Sequence, residues 1–170
     1  MIVGLDLSLT CTGMVAIPLD FARDVSWSAC HWTTAGQGLS RDATEQQRIA
    51  RMRDIADAVT AFCREHATSV WLEEQAFRQS GAMARELAGM TWTVRMALAD
   101  AGFKVNLVHA TAARKRFLGH SRRGAKTDLR LAVIGLDAPF DGPDLCDAWA
   151  VANYGLAEQG YPCVTVREAA

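Results

Sequence analysis

The sequence lacks paired cysteines, a long apolar run, an excess of either charge and any internal repeat, and each absence removes a class of protein. Its five cysteines, Cys11, Cys30, Cys63, Cys146 and Cys163, are odd in number, scattered, and form no C-x-x-C pair. That excludes a disulfide framework and points to free, mostly buried thiols in a reducing cytoplasm. Cys63 and His66 supply half a zinc site, but no second pair of matching spacing follows, so structural zinc is not expected. No apolar stretch approaches the roughly 20 residues that a bilayer span needs, and the N-terminus meets Asp6 without a basic leader. The expectation is a soluble, unprocessed, cytoplasmic chain with no membrane segment. With 18 basic against 19 acidic residues the net charge is −1. A uniformly basic coat is thereby excluded, and any nucleic-acid surface must come from local clustering. No low-complexity tract or linker divides the 170 residues, half of them hydrophobic, which suits one domain spanning 1–170.

What is present begins with an apolar run from Met1 to Leu5, closed by Asp6 and followed by the polar stretch Ser8 to Thr12. Gly13 then opens a second apolar run that Pro18 ends. The pattern predicts a strand, a tight turn and an antiparallel return strand. Val25 to Trp32 alternates large and small side chains and predicts a third strand of the same meander. Ile49, Met52, Ile55, Val59 and Phe62 recur at helical spacing and predict an amphipathic helix. Ser69 to Gln75 is a short strand that, like the first, runs into acid.

Ala82 to Ala101 predicts a long helix with two apolar stripes. One is Met83, Leu87, Met90, Val94 and Leu98; the other is Ala84, Ala88, Trp92 and Met96. A helix apolar on two sides is deeply buried or shared with a second subunit. Gly102 stops it, Lys104 to Val108 predicts a fifth strand, and Pro143 opens a last helix. Tyr161 to Val166 reads as an edge strand or an ordered tail. The order of elements predicts an α/β fold with a mixed five-stranded sheet flanked by helices on both faces.

Two features carry chemistry. Seven of the 18 basic residues, Arg114, Lys115, Arg116, Arg122, Arg123, Lys126 and Arg130, fall in one short segment. Gly119 and Gly124 make that segment loop-like and able to follow a phosphate backbone. Acids stand where elements end or begin: Asp6, Glu74, and Asp144 with Asp147, whose spacing of three puts them on one helix face. Asp6 can also be read as a cap on its turn. Converging carboxylates repel one another unless cations lie between them, and an all-oxygen set suits Mg²⁺ or Mn²⁺. Two such ions can activate water and stabilise a leaving oxygen in phosphodiester cleavage.

Asp6 in G-L-D-x-S-x-x-x-T-G, Glu74 in E-Q-A-F, and D-x-x-D-A-W-A-V-A from Asp144 resemble, in order and separation, the RuvC family of Holliday junction resolvases within the RNase H-like superfamily. The resemblance spans nearly the whole chain. It implies an RNase H-like fold and a metal-dependent, structure-selective endonuclease that resolves four-way junctions by paired cuts. Asp6, Glu74, Asp144 and Asp147 then match the metal-binding acids, with two Mg²⁺ or Mn²⁺ ions, and Lys126 the active-site lysine. Lys115 matches a further basic residue, and Phe77 an aromatic placed against bases at the junction centre. The partners implied are branched DNA, contacted by Phe77, Arg114, Lys115, Arg116, Arg122, Arg123 and Lys126, and a second copy of the chain packed on the helix after the glutamate strand.

Leu7-Ser8 replaces the family's usual Pro-Gly, and Glu73 is a rival for Glu74. A compact member with such departures suits a bacteriophage enzyme. Two other functions remain open on the sequence: a branched-DNA binding protein that does not cut, and an actin-like ATPase, whose phosphate loop also follows an Asp-bearing strand. The second needs two such domains, and this length supplies one.

Overall fold

The computed structural model describes residues 1–23, 26–74 and 81–166. Five strands, β1 (Ile2–Asp6), β2 (Thr12–Ile17), β3 (His31–Ala35), β4 (Ser69–Glu74) and β5 (Val105–His109), form one mixed sheet in the order β3-β2-β1-β4-β5. The β1-β2-β3 meander is antiparallel, as the Asp6 to Gly13 turn predicts, whereas β4 and β5 run parallel to β1. Parallel neighbours need crossovers, and the helices supply them. These are α1 (Glu45–His66), α2 (Ala82–Asp100), α3 (Ala110–Leu118), α4 (Ala125–Ile134) and α5 (Pro143–Glu158).

Strand alternation divides the core into two layers. Val3, Leu5, Met14, Ala16, Val70 and Leu72 face α1 and α2. Ile2, Val15, Ile17 and Trp71 face α5, backed by Phe117 of α3 and Leu129 of α4. Helix α1 is started by a capping box in which Thr44 and Gln47 exchange side-chain and backbone hydrogen bonds. Its Ile55, Val59 and Phe62 are buried as the spacing predicts, while Ile49 is left exposed. Helix α2 buries Met90, Val94 and Leu98; Met83, at the start of that stripe, is exposed, and so are Trp92 and Met96 of the other stripe.

Two expectations are corrected. The third strand begins at His31, not Val25: Val25 lies outside the described residues, and Trp27–Ala29 is a 3₁₀ turn. The turn drops the Trp27 indole into an aromatic cluster with Phe21 and Phe140, at 5.2 and 5.4 Å between ring centroids, where its Nε1 donates to the Leu136 carbonyl. Burial of one indole outweighs the local strand pattern. The basic segment is not a loop but two helices, α3 and α4, joined over 119–124; Gly119 and Gly124 hold left-handed backbone at the end of one and the start of the other. Of the two readings of Tyr161 to Val166 the structure takes the ordered tail: residues 161–165 form no strand, and the Asn153 amide clamps the Val164 backbone with two 2.9 Å hydrogen bonds.

What positions the site is the approach of α5 to the sheet. A Cβ on Gly4 would stand 2.1 Å from the Ala148 carbonyl oxygen, and one on Gly13 would stand 2.2 Å from that of Asp144. Helix backbone therefore rests directly on strand backbone. Gly4→Ala and Gly13→Ala should each destabilise by about 3 kcal/mol or more, since neither neighbour is a flexible side chain. The control is Gly38→Ala, where nothing lies within 4 Å. Urea titration that found all three variants alike would refute the close approach.

Candidate metal centre

Alternation in β1 sends Leu5 toward α1 and Asp6 toward α5. The β1–β4 register pairs Gly4 with Trp71 and Leu5 with Leu72, so Asp6 is level with Glu73 and on the same face. Above them lies the first turn of α5, held down on Gly13. The result is a group of carboxylates from Asp6, Glu73 and Asp147 whose oxygens lie within 4.8 Å of one another. Asp6 and Asp147 are buried. Asp144 stands one turn earlier on α5, near enough for its charge to add to the upward push that burial gives the pKa of both Asp6 and Glu73.

Two cations enter from the basic segment. Arg114 of α3 donates to Asp147 Oδ1 from Nε at 3.0 Å and approaches the same oxygen with a terminal nitrogen at 2.9 Å. Lys126 of α4 places Nζ 2.7 Å from Asp147 Oδ2. Burial lowers the Lys126 pKa, but its hydrogen bond to Asp147 and the nearby negative charges outweigh that and raise it. These two cations do not neutralise the group. Burial, then the charges of Glu73 and Asp147, push Asp6 up to about 8; burial, then Asp147, push Glu73 up to about 7.

Four carboxylates, Asp6, Glu73, Asp144 and Asp147, face Lys126 and Arg114, so two negative charges remain when all are ionised. A divalent cation removes that excess, and a hard, all-oxygen donor set fits Mg²⁺ or Mn²⁺. The N-terminal end of α5 adds the positive end of its dipole at the same point.

Of the acids singled out in the sequence, the structure brings Asp6 and Asp147 together, sets Asp144 one helical turn away, and leaves Glu74 out. Glu74 points to the opposite face, is largely exposed, and pairs with His109 Nδ1 at 3.1 Å. Its neighbour Glu73 joins the cluster instead. Only an odd-numbered residue of β4 shares the face of Trp71, and it is the register with β1 that identifies it as Glu73. Arg114, expected as a DNA contact, lies inside the site against Asp147.

Lys115, Arg122 and Arg123 are exposed, and Arg116 is tied to Glu158 at 3.2 Å. Arg122 has Asp128 3.7 Å from its Nε. Phe77 lies outside the described residues. Zinc-type ligation of Cys63 with His66 is not seen among the described residues, where the three-acid group is the one cluster of metal-ligand type.

No protein-family model and no curated protein matches this sequence. Solved structures do. The chain is similar to Thermus thermophilus RuvC, with a TM-score of 0.62 and 22% identity over 94% of this chain and 96% of that one. It is also similar to T. thermophilus RuvC in complex with Holliday junction substrate, with a TM-score of 0.70 and 22% identity over 94% and 95%. The chain has a RuvC-like fold. The likeness covers nearly the whole chain rather than a single motif, and at this identity it speaks to the fold.

Raised carboxyl pKa values set the sign of a pH dependence. An unfolded Asp or Glu titrates near about 4. Folded metal-free protein therefore holds protons on Asp6 and Glu73 that the unfolded chain has lost, and stability falls as pH rises through about 7 to 8. In EDTA, Tm should drop by several degrees between mildly acidic and mildly alkaline buffer, and Mg²⁺ should flatten the profile. A flat metal-free profile would mean that the acids do not meet.

Asp6→Asn and Glu73→Gln should each weaken the thermal shift given by Mn²⁺, while Glu74→Gln leaves it intact. The reverse ranking would restore Glu74 to the cluster.

Proposed function

We propose that the protein is a divalent-metal-dependent endonuclease that cuts branched DNA, with the four-way junction as preferred substrate, and that it acts as a homodimer with one metal centre for each of the two cut strands. The observation that carries this reading is the convergence of Asp6, Glu73 and Asp147 beside Lys126. It lies on a fold shared with a protein solved in complex with Holliday junction substrate.

Asp6, Glu73, Asp144 and Asp147 would hold Mg²⁺ or Mn²⁺, two ions as the resemblance to the RuvC family implies. Bound there, the metal supplies an activated water and neutralises the leaving oxygen of a phosphodiester. The chain's own residues do the rest. Lys126 reaches the cluster from a largely exposed position, so its ammonium can lie against a scissile phosphate and stabilise charge that develops in the transition state. Arg114 holds Asp147 in one orientation from the buried side. Lys115, Arg122 and Arg123 present positive charge on the surface beside the cluster, where phosphates of the arms would pass. The exposed Trp92 and Met96 of α2 give the second copy an apolar face to cover.

Four-way, flap and linear substrates incubated with Mg²⁺, Mn²⁺ or EDTA test the reading. The wild type should cut the four-way junction in paired fashion and leave the linear duplex intact. Asp6→Asn or Glu73→Gln should lower the rate about 100-fold or more while junction binding persists. Lys126→Ala should cut slowly and bind almost normally. Arg122→Gln with Arg123→Gln should flatten the salt dependence of binding by about 0.9 in log–log slope for each phosphate no longer neutralised. Sedimentation should give a dimer at micromolar concentration. Junction bound but never cut, in any metal, would make the protein a non-cutting branched-DNA binder.

A further inference from the structure

On the sheet face opposite the carboxylates, a cavity of about 660 Å³ opens between the β1–β2 turn, the segment before α1, and the first turns of α1 and α2. It begins at Leu7, the residue after Asp6, so the same strand end serves both features. Its charge is unbalanced: Arg41, Arg48 and Arg51 line it against one acid, Glu86. Glu86 bridges two of them, through an ion pair with Arg48 and another with Arg51 at 2.8 Å. Two positive charges remain.

The arginines are graded in depth. Arg41 is exposed at the mouth, the Arg48 side chain is 29% exposed and that of Arg51 only 7%. The Arg51 Nε is fully buried with no hydrogen-bond partner among the described residues, an expensive state for a charged donor. Between these groups the wall is apolar, from Leu9, Leu39, Met83 and Leu87, and the Ser8 and Thr10 hydroxyls lie at the turn. The size is that of a small-ligand site. A flat apolar body, an acceptor at depth and an anionic group at the mouth are what such a lining takes.

We propose that this cavity binds one unpaired nucleotide, its base against the leucines and Met83 with an acceptor on Arg51, and its phosphate on Arg41 and Arg48. The proposal rests on the branched-DNA reading above, since a junction offers unpaired nucleotides close to the cut. The chemistry is shared by a free nucleoside monophosphate and by a nucleotide within a strand.

Fluorescence anisotropy of a short labelled oligothymidylate, with wild-type protein in EDTA so that nothing is cut, tests it, alongside thymidine monophosphate as competitor and a blunt duplex as control. Oligothymidylate should bind more tightly than the duplex. Arg41→Gln and Leu39→Glu should each weaken it about tenfold, the loss of one charge-assisted contact. Glu86→Gln should tighten it, because it releases two guanidinium groups, whereas a purely structural ion pair would lower only Tm. Competition by thymidine monophosphate assigns the site to free nucleotides as well as strands; its absence assigns it to strands. Binding unchanged in Leu39→Glu overturns the proposal. Normal junction cutting by Leu39→Glu with unaltered oligothymidylate affinity would sink this site alone. Oligothymidylate binding that follows the expected order in a protein that cuts nothing would sink the nuclease reading alone.

Discussion

The contact on which the molecule depends is backbone on backbone: α5 lies against β1 and β2 at Gly4 and Gly13 with no room for a side chain. Toward the far end of the same helix the contact is of another kind: Gly155 leaves room for a side chain, the Trp71 indole. Ordinary helix-on-sheet packing keeps the layers apart by the width of interleaved side chains. Removing them at these points draws the first turn of α5 down to the ends of β1 and β4. The short carboxylates of Asp6 and Asp147 can then meet. A longer spacing would separate them, and the remaining residues of the site would have nothing to assemble around.

That approach has an electrostatic consequence that packing alone would disfavour. Buried carboxylates in one cluster oppose folding unless something compensates. Arg114 and Lys126 compensate in part, and both concentrate on Asp147, the most buried of the acids. Asp6, buried, and Glu73, half-buried, have no cation of their own and are left with the unbalanced charge, and their pKa values are pushed up. The basic helices α3 and α4 thus belong to the core of the site as well as to its surface. Their inner residues restrain an acid, while Lys115 and Arg123 stand exposed on the outer side.

Most of the architecture is legible from local patterns. The Asp6 to Gly13 turn, the span of α2 and the Pro143 helix start are each legible as elements from side-chain chemistry. Parity in β4 is not legible. Val70, Trp71 and Leu72 are all large and apolar because the strand is covered on both faces, so its sequence carries no alternation to say whether Glu73 or Glu74 faces α5. Only the register with β1 decides it. The E-Q-A-F motif singles out Glu74 for a reason that has nothing to do with the face of the sheet. In the basic segment Gly119 and Gly124 are legible as breaks, but a break fits a helix end as well as a loop. The buried Ala113, Phe117, Ala125, Leu129 and Val133 show the helical spacing beneath the charges.

The same alternation relates the two faces of the site. At the end of β1, Asp6 turns to the α5 side and Leu7 to the α1 and α2 side, so consecutive residues border the carboxylate cluster and the arginine-lined cavity. The two features have opposite charge and are separated by the thickness of one strand. A strand of nucleic acid that crosses the sheet end would meet an acidic cluster on one side and a cationic pocket on the other. Ser8 to Thr12 is closed by two hydrogen bonds between the Thr12 hydroxyl and the Ser8 backbone, so one short, internally bonded turn joins the strand end that carries Asp6 to the wall of the cavity.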